Sequence, residues 1–211
     1  MAEFEEELKQ ALERLRSESK ERKFIETVDL VINLQKYSTK KNPINLFISV
    51  PHKVKDKKIA AFLEADSDLI DTITLNDFKK YSDKKSLKSL VDKYDFFIAQ
   101  GKIMPKVATT FGRVLGPTGK MPSPQLGLIL NADEKTINDL KDKINTSVKI
   151  RVKESSVKVP VGKKNMSDED IIENVLSIYN ELLKALPREK ENIKNVELKF
   201  TMSKPVKIHI R

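Results

Sequence analysis

Few side chains in this 211-residue sequence are suited to chemistry. Cysteine is absent, which removes disulfides, thiolate nucleophiles and cysteine-ligated zinc. The two histidines, His52 and His209, stand apart, one beside Pro51 and the other near the end of a strand pattern, where a histidine is ordinarily a surface residue. A histidine-based metal or catalytic site would need the two to meet, and nothing in their spacing suggests it, so neither metal nor cofactor is expected. No paired acid/base constellation stands out either. The stretch that most resembles a ligand loop is Gly112-Arg-Val-Leu-Gly-Pro-Thr-Gly-Lys-Met-Pro122. A nucleotide-binding P-loop reads G-x-x-x-x-G-K-[ST]. Here Val114 stands where the first glycine should be and Met121 follows Lys120, so the match fails twice, and no G-x-G-x-x-G fingerprint is present. What remains is a turn-rich basic loop, expected over Gly112–Pro124, whose backbone amides can still hold a phosphate.

Binding, rather than catalysis, is suggested by two strand-like segments. Over residues 195–203, Val196, Leu198, Phe200 and Met202 form an apolar side, and Asn195, Glu197, Lys199, Thr201 and Ser203 a polar one, followed by Lys204 and Pro205. Over 23–29 the polar set is Lys23, Thr27 and Asp29, with Phe24 ahead of the strand proper. A flat surface of hydroxyls, lysines and one exposed ring suits the shallow minor groove of RNA, where 2′-hydroxyls and phosphates are presented. The same pattern also describes ordinary solvent-facing strands with Phe24 in the core, and on pattern alone that reading is the better one.

Net charge points the same way. Lys and Arg total 40 against 31 Asp and Glu, a formal charge of +9 and a pI near 9.4. Each cation set against a phosphate releases a counterion, so a polyanionic partner is favoured, although a lysine-rich surface alone would look similar. The first residues include Glu3, Glu5, Glu6 and Glu7, unlike a signal or transit peptide, and no apolar run reaches the ~20 residues needed to span a bilayer. An intracellular, soluble protein is expected.

The elements that must position these residues follow from periodicity. Phe4, Leu8, Ala11, Leu12 and Leu15 predict an amphipathic helix from residue 3 to about 20. Val28, Leu30, Ile32 and Leu34 alternate with Thr27, Asp29, Val31 and Asn33 as in a strand, and a second strand is expected over Ile44–Val50. Lys53–Lys58 reads as a linker. Short strands are expected over Ile59–Leu63 and Leu69–Leu75, a helix from near Asp83, a buried strand at Phe96–Ala99 and a helix over Asp133–Lys143. Val148, Ile150 and Val152, then Val157, Val159 and Val161, predict a hairpin that turns near Ser155 and ends at Gly162. Ser167 caps a helix with Asp168, Glu169 and Asp170 in its first turn, an apolar face from Ile171 to Leu186, and Pro187 beyond it. Strands over Val196–Phe200 and Val206–Ile210 close the chain.

This order predicts an α+β protein of two domains. Residues 1–55 hold too few elements for a core of their own, and residues 149–211 have the same antiparallel character, so the two form one discontinuous domain. The 56–148 segment, with strands alternating with helices, becomes an inserted α/β domain on a largely parallel sheet, the two crossings forming a hinge. Residues 1–55 carry 11 basic and 9 acidic groups and 149–211 carry 14 and 9, which leaves +7 on the composite domain. The insertion carries 15 and 13, or +2. RNA is therefore expected on the composite domain.

A series of motifs in order then resembles the ribosomal protein L-one family, in its archaeal and eukaryotic branch. They are Arg22-Lys-Phe-Ile-Glu-Thr-Val-Asp29, Val50-Pro-His52, Tyr94-Asp-Phe-Phe-Ile-Ala-Gln100, Met104-Pro105 and the run from Gly112 to Pro122. Pro160-Val-Gly162, Met166-Ser-Asp-Glu-Asp170 and Thr201-Met-Ser-Lys-Pro-Val-Lys207 complete the series, which spans nearly the whole chain.

The resemblance implies a first domain that binds large-subunit rRNA and a Rossmann-like inserted domain. It also implies a place in the mobile stalk beside the tRNA exit site, and repression of translation through the protein's own messenger RNA. The implied partners are rRNA, that messenger, exit-site tRNA and the ribosome, bound by a cytoplasmic, non-enzymatic protein that is monomeric when free. Carried over by position, the main RNA contacts are Lys23, Phe24, Thr27, Asp29, Asn195, Thr201, Met202, Ser203 and Lys204, with Lys163 and Lys164 as phosphate neighbours. A secondary contact loop is implied at Arg113, Gly116, Gly119 and Lys120. Two positions depart from the family pattern: Ser203 stands where glycine is usual, and Thr118 where arginine is usual. The competing function is a nucleotide-binding enzyme built on the inserted domain, and a third is a free regulator of messenger RNA alone.

Overall fold

A computed structural model of the chain describes residues 2–39, 42–67, 69–81, 83–130 and 133–209. It begins with α1 (Ala2–Glu18), β1 (Thr27–Leu34) and β2 (Asn45–Ser49). Next come β3 (Ile59–Phe62), β4 (Asp71–Ile73), α2 (Lys84–Lys93), β5 (Phe96–Gln100), α3 (Met104–Thr118), β6 (Leu128–Ile129) and α4 (Glu134–Asn145). The chain closes with β7 (Ser147–Arg151), β8 (Ser156–Lys163), α5 (Asp168–Ala185), β9 (Ile193–Phe200) and β10 (Val206–Ile208). Two compact units result, Met1–Lys55 with Thr146–Arg211, and Asp56–Asn145. The second crossing lies at 145/146, so β7 belongs whole to the first unit.

The first unit is organised by an antiparallel sheet in the order β10-β9-β1-β8. Strict alternation on β1 and β9 sends Val28, Leu30, Ile32, Val196, Leu198 and Phe200 into one core with the apolar faces of α1 and α5. Phe4 of α1 meets Tyr179 of α5 at 4.9 Å between ring centroids. Arg16 joins the same two helices: Nε and Nη2 donate to Asp168 Oδ1 at 2.8 and 2.6 Å, while Nη1 and Nη2 donate to the carbonyls of Lys164 and Met166. The α5 N-terminus is capped by Ser167, whose hydroxyl accepts from the Asp170 amide. Asn174, on the apolar side of α5 and fully buried, exchanges hydrogen bonds with the His52 backbone and donates to the Val161 carbonyl.

The predicted hairpin over 148–162 is not formed. β7 pairs with β2 in a separate antiparallel ribbon, whereas β8 pairs with β1. Period-two patterning fixes which side chains face inward, and both segments do bury Val148, Ile150, Val157, Val159 and Val161 in one core. It is silent on which edge each strand uses. The last strand stops at Ile208, and the expected extension to Ile210 falls outside the described residues.

The second unit carries a parallel sheet in the order β4-β3-β5-β6. Its core is aromatic: Phe62 lies 5.6 Å from Phe97 and 5.0 Å from Phe111, and Phe78 meets Phe111 edge-on. The strand predicted over 69–75 contracts to β4, and the first half of the loop predicted over 112–124 is helix, since α3 runs on to Thr118. Val107, Phe111 and Leu115 are buried at helical spacing, and that stripe outweighs the Gly and Pro around it. Pro117 falls in the last turn, and Gly119 ends the helix in the left-handed conformation at φ 73°. No helix among the described residues is long and apolar enough to cross a membrane.

Candidate nucleic-acid interface

One end of the four-stranded sheet gathers most of the residues singled out in the sequence. The organising group is Glu26, just ahead of β1. It shares the parity of Val28, Leu30 and Ile32, so its side chain turns inward, and it is 2% exposed. A buried carboxylate is costly unless it is paired and hydrogen-bonded. Here Oε1 accepts from the Met202 amide at 3.1 Å and lies 3.7 Å from Arg22 Nε, while Oε2 lies 3.9 Å from Lys164 Nζ. The Glu26 carbonyl accepts from the Lys164 amide at 2.9 Å. Three loops, 22–26, 163–166 and 201–204, are thus clasped by one residue.

The threonines extend the ladder past the end of β9. Thr201 N donates to the Thr27 carbonyl at 3.0 Å, and Thr27 N donates to Thr201 Oγ1 at 3.0 Å. The Thr201 hydroxyl also donates to the Thr27 carbonyl at 3.3 Å, so it is largely engaged within the protein. Ser203 does likewise: its Oγ accepts from the Phe200 amide at 2.8 Å. Positive φ among non-glycine residues is confined, within the described chain, to Lys36 and Glu189. Serine therefore sits at 203 without the strain that glycine would relieve, and its hydroxyl locks the turn.

This locked turn leaves apolar side chains in solvent. Phe24 is 53%, Ile25 58% and Met202 59% exposed; among the described residues the other large exposed hydrophobe is Leu130, in the second unit. Lys23 and Lys204, both exposed, flank the patch. The alternative placement of Phe24 in the core does not hold: the residue lies in a bend ahead of β1 and its ring is exposed. Exposed apolar groups held on rigid backbone and rimmed by cations mark an interaction surface.

The remaining predicted residues sit less centrally. Lys163 is half-buried in the turn at the end of β8. Lys164 is turned inward, with its ammonium between Glu26 and the Phe200 ring, 5.7 Å from the centroid. Asp29, one step in from Thr27, pairs across strands with Lys199. Burial pushes its carboxyl above the ordinary value, against the downward pull of Lys199 and Lys158. Asn195 lies at the far end of β9, opposite Asn33 and about 20 Å of strand from Thr201. Its Nδ2 donates to Glu197 Oε1 at 3.0 Å, and its buried Oδ1 has no partner.

In the second unit two of the four expected loop residues are helical. Arg113 and Gly116 are on α3, and a Cβ added at Gly112 or Gly116 would meet nothing within 4 Å. Thr118 directs its hydroxyl to the Val114 and Leu115 carbonyls. Lys120, read from the sequence as a loop contact, has its ammonium on the carbonyls of Val91 and Tyr94 at 2.7 and 2.8 Å, where it caps the C-terminus of α2. Thr118 and Lys120 thus spend their polar groups on carbonyls at the ends of α3 and α2. Among the described residues no group of three or more His, Asp or Glu side chains could hold a metal.

Sequence reasoning missed Glu26 and Ile25 as members of the interface. For Glu26 the signal was present: an acidic residue on the inward parity of a strand. Ile25 has no such signature, since it precedes the strand and its exposure depends on where Glu26 is anchored.

Residues 15–204 match the ribosomal protein L1p/L10e family. The chain is 34% identical over 201 residues to the large ribosomal subunit protein uL1 of Nanoarchaeum equitans, covering 90% of this chain and 94% of that one. It is 35% identical over 212 residues to the protein of the same name from Thermoplasma volcanium, covering 95% of each chain. The counterpart from Archaeoglobus fulgidus is 33% identical over 219 residues, covering 95% of this chain and 96% of that protein.

Proposed function

The chain belongs to the ribosomal protein L1p/L10e family, and from that premise we propose that it is an rRNA-binding constituent of the large ribosomal subunit. The observation that carries this reading is the Glu26 clasp, which presents Phe24, Ile25 and Met202 in solvent between Lys23 and Lys204. Lysines supply the electrostatic attraction to the backbone, and the ring and the thioether pack on sugar or base. Thr27, Thr201 and Ser203 mainly hold the shape, and the Asp29 carboxylate accepts hydrogen bonds from ribose hydroxyls or base amines. No step requires bond chemistry, so the role is binding.

The same reading extends to a place in the mobile stalk beside the tRNA exit site, to assistance in releasing deacylated tRNA, and to repression through a mimic of the rRNA site in the protein's own messenger. It has the free protein a cytoplasmic monomer. Arg113, Gly116 and Gly119 are secondary contacts in it; Lys120 is left to its capping role. Co-sedimentation separates the ribosomal role from a purely messenger-directed one: large subunits stripped of this protein should take it up stoichiometrically. Recovery of all of it in the free fraction, with messenger binding intact, would leave only the regulatory role.

A further inference from the structure

A second cluster of cations lies at the other end of the sheet in the first unit, where β9 begins and β10 ends. A cleft of about 400 Å³ is lined there by Lys190, Lys194, Asn195, Lys207 and His209, with Tyr179, Ile193 and Ile208 as its apolar wall. Among the described residues that line it, none carries a carboxylate. The nearest acidic side chain along the strand, Glu197, is cross-strand partner to Lys207, but its Oε1 already accepts from Asn195 Nδ2 at 3.0 Å. Three ammonium groups around one cleft repel one another, and among the described residues none of the three has an ion pair. This arrangement is relieved by an anion. A run of backbone phosphates in RNA supplies such anions in series.

We propose that this cleft binds a second stretch of the RNA phosphodiester backbone, with Lys190, Lys194 and Lys207 on phosphates. The inference rests on the RNA-binding function proposed above and adds a site to it. Asn195 and Thr201 share the polar side of β9 about 20 Å apart. That separation spans several nucleotides of an A-form RNA strand. A folded RNA lying along the sheet would therefore reach the clasp and the cleft together.

The test uses the full chain and large-subunit rRNA in a gel shift over a salt series, comparing the wild type with the triple variant Lys190→Gln, Lys194→Gln, Lys207→Gln and, separately, with Met202→Asp. The triple variant should bind at least tenfold more weakly at moderate salt, with the slope of log K against log salt reduced by about 2. Its unfolding temperature should be that of the wild type. An unchanged slope and affinity in the triple variant, with binding lost in Met202→Asp, would overturn the cleft and leave the clasp standing. Loss in the triple variant with full binding in Met202→Asp would do the reverse. If the wild type itself fails to bind, both fall. If inorganic phosphate raises the wild-type unfolding temperature while the triple variant keeps the wild-type slope, the cleft holds small anions only and the proposal fails.

Discussion

The segment around Glu26 and the glycine-rich segment around Gly116 invert their sequence appearance. The second has the glycines, prolines and lysine of a ligand loop, yet it folds into the end of α3, with Thr118 on helix carbonyls and Lys120 on the C-terminus of α2. The first looks like an unremarkable approach to a strand, yet it buries a carboxylate and leaves Phe24 and Ile25 in water. Composition marks where the backbone can turn. The proposed binding surface rests on the opposite, groups held in place against their own preference for burial, as the Glu26 clasp holds Phe24, Ile25 and Met202. The charge distribution agrees, with +7 on the discontinuous unit and +2 on the inserted one.

Glu26→Ala gives the largest effect and would sharpen this contrast. It strands the Met202 amide and frees Lys164 and Arg22, so the protein should lose about 2 kcal/mol of stability in denaturant unfolding. Its rRNA affinity should fall further than stability alone explains, because the 201–204 turn loses its anchor. Full affinity in a destabilised protein would show that the clasp is structural only. Lys120→Met is the counterpart in the second unit. Two charge-assisted hydrogen bonds at a helix end are lost, for about 1 kcal/mol, with rRNA binding unchanged. A large loss of affinity at unchanged stability would return the glycine segment to the interface.

Asp29→Asn has the smallest effect and depends on pH. Burial raises the carboxyl above its ordinary value, so Asp29 contributes stability below the ordinary carboxylate range that is lost as pH rises through the raised value. At neutral pH the asparagine variant should therefore be slightly more stable than the wild type, and the gain should vanish on acidification past the usual value near 3.8. Asp29 is only partly buried, so solvent screening keeps the difference below about 1 kcal/mol. Parallel thermal melts at neutral and acidic pH check it, and a variant less stable than the wild type at neutral pH would reverse the sign.

Much of the fold was legible where periodicity is long and unbroken, as in α1, β1 and α5. The end of α3 was not, because Gly and Pro were weighted as breakers although Val107, Phe111 and Leu115 kept helical register through them. The pairing of β7 with β2 was not legible in principle, since alternation carries no information about edges. For the interface, Lys23, Phe24, Thr27 and Thr201–Lys204 came from the family resemblance, and their polar pattern alone favoured an ordinary surface. Glu26 and Asn174 were readable as polar residues on inward-facing positions, and the first of them organises the interface. Sequence periodicity marks both, as polar residues in phase with the core.

The central claim, that recognition rests on the clasped apolar patch and not on the glycine segment, is tested most directly by one measurement. It is the rRNA dissociation constant of Met202→Asp set beside that of Arg113→Ala, with unfolding temperatures measured on the same samples. Met202→Asp places a charge in a patch that packs on RNA and should weaken binding about a hundredfold at an unchanged unfolding temperature. Arg113→Ala, on the exposed side of α3, should change it less than about threefold. Wild-type affinity in Met202→Asp together with a large loss in Arg113→Ala would contradict the account.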